Sequence, residues 1–115
     1  VQVLNSFENR TYSNGQATAI YKQSIPLANA TKPTEEWQAY DIIYHQPEFD
    51  ADGNKTKAAT VTVLHNGVLV QDNTEIQGTT EYIGKPKNPA HGEGPIKLQD
   101  HGNPVSFRNI WVRKL

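Results

Sequence analysis

The sequence predicts an all-β sandwich, on three observations. Short runs rich in β-branched and aromatic residues, of which ATVTVLH over residues 59–65 is the clearest, alternate in side-chain character. Eight glycines and seven prolines punctuate the 115 residues, too densely for long helices. Nowhere does an apolar i, i+3, i+4, i+7 pattern last three turns. The chain is read as part of one domain, residues 1–115, with no internal repeat or charge block to divide it.

Strands are predicted, in order, at Val1–Leu4, Ala17–Gln23, Trp37–Gln46, Ala59–His65, Val68–Gln71, Pro95–His101 and Val105–Lys114. Val1 and Val3 alternate with polar neighbours from the first residue on, so the chain reads as a fragment or processed product whose first strand is cut. In the third strand Trp37, Asp41, Ile43 and His45 share one face and Tyr40, Ile42 and Tyr44 the other. Apolar groups on both faces suit a strand between two layers. Asn66-Gly67 joins the next two strands as a two-residue hairpin, because a type I′ turn needs positive φ at both central positions. The segments Asn5–Gln16, Ala28–Glu36, Gln46–Ala58 and Gly78–Gly94 are polar, rich in turn formers and read as loops.

Composition excludes several function classes. Twelve acidic and eleven basic side chains give a net charge of -1 with no block of either sign, which supplies no footprint for nucleic acid or anionic lipid. No apolar run approaches the roughly 20 residues of a membrane span, and the opening VQVLNSFENR is no signal peptide. Without cysteine there is neither a disulfide frame nor a thiolate zinc site.

The residues able to carry chemistry are few. His45, His65, His91 and His101 fall at unrelated spacings, so a divalent metal has no motif here and the cofactor stays open. His101 lies in LQDHGNP, where Gln99 and His101 would share a strand face and Asp100 would point to the other. A polar turn capping a hairpin explains the same residues equally well. Asp50–Lys55 (DADGNK) resembles the start of a calcium loop, but its glycine is at position four rather than six and no glutamate stands at twelve, so a turn is expected. Glu35 and Glu36 diverge once a strand begins and make a poor acid/base pair. Arg108, between apolar neighbours in SFRNIW, must find a carboxylate, a carbonyl or a ligand hydroxyl if buried. Trp37, Trp111 and five tyrosines offer planes that stack on sugars or fill a core.

Taken together, VQVLNSF, GQATAIYKQ, EEWQAYDIIYHQPEFDADG, VTVLHNGVLVQDN and above all GPIKLQDHGNPVSFRNIWVRKL resemble the bacterial 3-keto-disaccharide hydrolase family, across nearly the whole chain. The resemblance implies a concanavalin-like lectin/glucanase jelly-roll sandwich, of which this chain would be the C-terminal portion, incomplete at its N-terminus. It implies export to the periplasm or beyond, and a carbohydrate ligand in which a keto group at carbon 3 acidifies the proton on carbon 2. A glutamate that family members carry just before the segment matching VQVL has no counterpart here. Carried over by position, His101 would be a general acid/base or ligand, with Gln99 beside it and Arg108 on a keto or hydroxyl oxygen. Gln2 would line the same concave surface, with Tyr21, His65 and Asp100 in support. The expected partners are the missing N-terminal segment or another copy of the chain. A carbohydrate-binding module without turnover is the alternative, and it would leave His101, Gln99 and Arg108 scattered rather than convergent.

Overall fold

The computed structural model describes residues 1–9, 11 and 13–115; the loop predicted over Asn5–Gln16 therefore includes Arg10 and Tyr12, which lie outside the described residues. Among the described residues five strands form two antiparallel sheets. β1 (Tyr40–His45), β4 (Ala59–His65) and β5 (Val68–Ile76) make a three-stranded sheet in the order β1-β4-β5, and β2 (Glu48–Phe49) pairs with β3 (Lys55–Lys57). A single 3₁₀ turn, Ser13–Gly15, is the only helical element among the described residues.

β4 occupies the span its alternation predicts. Ala59, Val61, Val63 and His65 are buried, while Thr60, Thr62 and Leu64 stand half-buried on the opposite face. Asn66 and Gly67 adopt φ of 52° and 81°, the pair of positive values a type I′ turn demands. Asn66 does more than turn the chain. Its side chain accepts the Ala39 amide at 2.8 Å and donates to the Ala30 carbonyl at 2.7 Å and to Gln38 Oε1 at 2.8 Å, fixing the entry to β1.

β5 runs five residues beyond its predicted end at Gln71. The polar stretch Asp72–Glu75 hides the strand because its register slips twice, with Val61 opposite Thr74, Val63 opposite Gln71 and Leu64 opposite Leu69. At the first slip Asn73 takes φ 44° and its amide donates to Thr62 Oγ1 at 2.9 Å. The bulges let the consecutive Val70 and Gln71 both be buried, which strict alternation forbids.

The N-terminal segment covers this face of the sheet. The strand predicted at Val1–Leu4 does not form; Gln2 alone donates its amide to the Ala19 carbonyl at 3.0 Å and accepts the Thr18 amide at 2.9 Å. Ala17–Gln23 is a turn rather than a strand. Thr18 and Lys22 have positive φ, and the amides of Gln23 and Ser24 fold back onto the Ile20 carbonyl. Ala17, Thr18, Ala19 and Ile20 are all buried in succession, a load no one-sided strand can carry. Ile20 thus reaches Val61, Val63 and Val70 to form the core, with Ala30, Tyr40 and Ile76 packed around it.

Two further expectations are corrected. The loop predicted over Gln46–Ala58 contains the β2–β3 ribbon, closed by the DADGN turn: Asp50 Oδ1 accepts the amides of Asp52 at 3.0 Å and Asn54 at 2.8 Å. The Asn54 side-chain amide, which donates to Asp50 Oδ2 at 3.1 Å, and then these backbone bonds hold the Asp50 carboxyl below its usual range. The strands predicted at Pro95–His101 and Val105–Lys114 do not form, and every residue from 91 to 115 is exposed. A strand needs a neighbour to take its amides and carbonyls, and among the described residues this stretch makes no backbone-to-backbone hydrogen bond.

Candidate functional site

The C-terminal stretch folds around the DHGN turn. Asp100 Oδ1 accepts the Gly102 amide at 2.8 Å, Gly102 takes φ 79°, and the Asn103 side chain reaches the His101 carbonyl at 3.5 Å. Asp100 is therefore engaged in its own turn, and the carboxylate is not hydrogen-bonded to the imidazole beside it. The arms on either side of the turn enclose a shallow hollow of about 140 Å³ lined by Leu98, Gln99, Asp100, Asn103, Val105 and Phe107. His101 is exposed next to it.

Arg108 finds a partner that the sequence did not suggest. Its guanidinium carbon lies 3.8 Å from the centre of the Trp37 ring, a cation–π contact across 71 positions that ties the C-terminal arm to the approach to β1. Both residues are exposed, so the in-plane N–H donors of Arg108 keep access to solvent.

Gln2, Tyr21 and His65 belong to the other end of the sequence-predicted set. Gln2 is half-buried through its ladder with residues 18 and 19, and Tyr21 is half-buried beside Lys22, whose ammonium lies 5.6 Å from its ring centre. His65 is inside the core at 1% exposure, its ring 4.5 Å from that of Tyr40. Neither of its ring nitrogens has a hydrogen-bond partner among the described residues. Burial, reinforced by the charge of Lys32, pushes its pKa below the ordinary 6.5, and burial raises that of Tyr40 to about 12. Within this chain, then, the hollow gathers Gln99 and Asp100, while no hydrogen bond joins His101, Gln99 and Arg108 to one another.

Sequence reasoning missed a second, larger hollow of about 230 Å³ between the β2–β3 ribbon and residues 78–91, with Tyr44, Phe49, Lys55, Lys87 and His91 in its lining. His91 meets Phe49 edge-on at 5.8 Å. No signal in the sequence marks it, because its walls come from four separate segments. Among the described residues, no three His, Asp or Glu side chains come together as a metal's ligands would, and no helix is long and apolar enough to cross a membrane.

Comparison with known proteins agrees with the fold. Residues 1–113 match the 3-keto-alpha-glucoside-1,2-lyase-like domain. The structure is similar to the crystal structure of a "putative glycosyl hydrolase" from Parabacteroides distasonis ATCC 8503, with 55% sequence identity and a TM-score of 0.77. That likeness covers 80% of this chain and 39% of the other, so the chain spans well under half of its neighbour's length. No curated protein matches. The architecture is all-β, of the concanavalin-like jelly-roll class, and the chain belongs to the 3-keto-α-glucoside-1,2-lyase-like family.

Proposed function

We propose, from that membership, that the chain forms part of an enzyme cleaving 3-keto-glycosides by elimination across carbons 1 and 2. The observation that carries the reading is the family match over residues 1–113. A keto group at carbon 3 makes the carbon 2 proton acidic. A base removes it, the electron pair closes a carbon 1–carbon 2 double bond, and the glycosidic oxygen leaves carbon 1 with a proton from an acid. Water then adds across the double bond, so the net change is hydrolysis. This route needs a base, an acid and donors for the enolate oxygen, and it does not need the two opposed carboxylates of an ordinary glycosidase.

In this reading His101 moves the proton, Gln99 and Arg108 donate to the keto or hydroxyl oxygens, and Asp100 shapes the turn that presents them. Gln2 lines the same concave surface, with Tyr21 and His65 in support. The exposed position of His101 beside the 140 Å³ hollow, and the free donors of Arg108 over Trp37, are compatible with these roles. Export from the cytoplasm is part of the same proposal. A carbohydrate-binding module without turnover is the second reading, favoured by one observation: of His101, Gln99 and Arg108, Gln99 alone lines the hollow.

The test uses the intact protein carrying this sequence and a chromogenic 3-keto-α-glucoside. His101→Ala should lower turnover about a hundredfold or more, the usual worth of a general acid or base. A substrate deuterated at carbon 2 should react more slowly and lose its label. Unchanged turnover in His101→Ala removes the histidine from the mechanism, a retained label replaces elimination with displacement at carbon 1, and binding without turnover selects the module.

A further inference from the structure

The larger hollow, of about 230 Å³, is walled by segments that are held in place. Its floor includes the register partners Ala59 and Ile76, where β4 begins and β5 ends. Residues 78–91 form the far side, and three sets of contacts fix them. Gln23 donates from Nε2 to the carbonyls of Gly78 at 3.1 Å and Thr79 at 3.2 Å, and its Oε1 accepts the Gln77 amide at 2.8 Å. Thr79 donates its amide to the Lys87 carbonyl at 3.0 Å, and its Oγ1 accepts the Lys87 amide at 3.0 Å. Gly78 takes φ 146°, and a Cβ there would stand 2.3 Å from the Lys87 carbonyl oxygen, so only glycine lets the two limbs of the loop meet so closely.

The β2–β3 ribbon opposite presents a ring and a charge together. Phe49 and Lys55 are register partners, so both side chains leave the same face of the ribbon. Lys55 is half-buried, and its Nζ donates to Asn88 Oδ1 at 3.3 Å, which links the ribbon to the loop. Lys87 also belongs to the lining, as do the rings of Tyr44 and His91. No Asp or Glu lines the hollow. Glu81 accepts from Thr79 Oγ1 at 2.8 Å without lining it, and Glu48 is taken by Lys57 at 2.9 Å. Among the described residues neither Lys55 nor Lys87 has an ion-pair partner.

We propose that this hollow binds a carboxylate carried on a single six-membered ring, as in a hexuronate or an aromatic acid. Charge selects the anion, because the lining holds two lysines and no acid, and the Lys55 ammonium has donors to spare beyond its bond to Asn88. The rings select its carrier, since the C–H face of a sugar or an aromatic ring packs against Tyr44 and Phe49. Size limits the ligand to one ring, for drug-sized molecules fill pockets of roughly 300–1,000 Å³. Inorganic phosphate would satisfy the lysines and leave the aromatic side chains unused. The proposal stands apart from the cleavage chemistry, because this hollow shares no lining residue with the one beside His101.

The protein carrying this sequence is titrated with glucuronate and with benzoate, beside glucose and benzyl alcohol as their neutral counterparts, and binding is read from amide chemical shifts. At least one acid should bind with a Kd on the order of 1 mM, as a ligand of so few atoms allows, and shift Phe49, Lys55 and His91. Its neutral counterpart should bind about tenfold more weakly. The acid that binds identifies the ring. Lys55→Met should weaken that acid about tenfold, whereas Lys57→Met, whose lysine pairs with Glu48 and does not line the hollow, should leave it unchanged. If Lys55→Met fails to fold, the shifts in the parent protein decide alone. Neutral compounds binding as well as the acids, shifts confined to other surfaces, full affinity in Lys55→Met, or no binding of either acid at about 10 mM overturns the proposal.

Discussion

The β4–β5 hairpin and the C-terminal arms have comparable strand-like patterning and opposite fates. Residues 59–76 and residues 95–114 are each two strand-like runs joined by a glycine-bearing turn, yet the first pair forms a buried ladder and the second lies exposed. Turn chemistry does not explain the difference, since Asn66-Gly67 and Asp100–Asn103 both adopt the geometry their residues favour. The layer in contact with each pair does. Ile20 packs onto β4 and β5, whereas the arms touch the rest of the chain through Arg108 on Trp37 and bury none of their residues. Period-2 patterning states which face a strand would bury; a neighbouring edge and an opposing layer decide whether it does.

The sharpest way to break this contrast is a matched pair of substitutions. Val63→Ala, at a site with 0% exposure, should cost about 2 kcal/mol, whereas Val112→Ala, at 72% exposure, should stay within about 0.5 kcal/mol. Urea unfolding of the two variants measures both, and equal costs would erase the distinction. Gln71→Ala comes next. The buried Gln71 donates to the Thr18 carbonyl at 3.1 Å and accepts from Ser24 at 3.0 Å and Thr74 at 2.8 Å, so its loss strands a buried carbonyl and should cost about 1–3 kcal/mol. A neutral result in the same assay would mean that water replaces the side chain there.

The smallest effect is a dependence on pH that the buried end of the hairpin contributes. Burial keeps His65 neutral, with its folded pKa below the unfolded 6.5, so the unfolded chain takes up the proton first. The stabilisation is complete above pH 6.5 and declines as pH falls below it. Thermal midpoints of the parent should therefore drop on acidification through that window, and those of His65→Leu should drop less. Parallel curves would show that His65 titrates as it does in the unfolded chain.

Legibility in the sequence follows the same division. β4 and its turn were readable to the residue because alternation, β-branching and Asn-Gly chemistry agree over ATVTVLHNG. The far half of β5 was not, because bulges at Val70 and Asn73 cancel the alternation that would reveal it. Ala17–Gln23 misled for a different reason: small residues that suit a strand also suit a tight turn pressed onto a sheet. For the site, LQDHGNP marked the turn and one wall of the hollow, but the seating of Arg108 on Trp37 depends on a contact between distant segments. His65 closes β4 beside the Asn66-Gly67 turn, and its ring lies against that of Tyr40 on the neighbouring strand, a contact between residues 25 positions apart that its own sequence neighbours do not announce.

Residue-resolved hydrogen exchange on the chain alone tests this account most directly. The amides of Val61, Val63 and Gln71 should exchange slowly and those across 95–101 and 105–114 rapidly, because only the former are paired beneath a covering layer. Comparable protection in both regions would contradict it, since the arms would then have found partners within this chain.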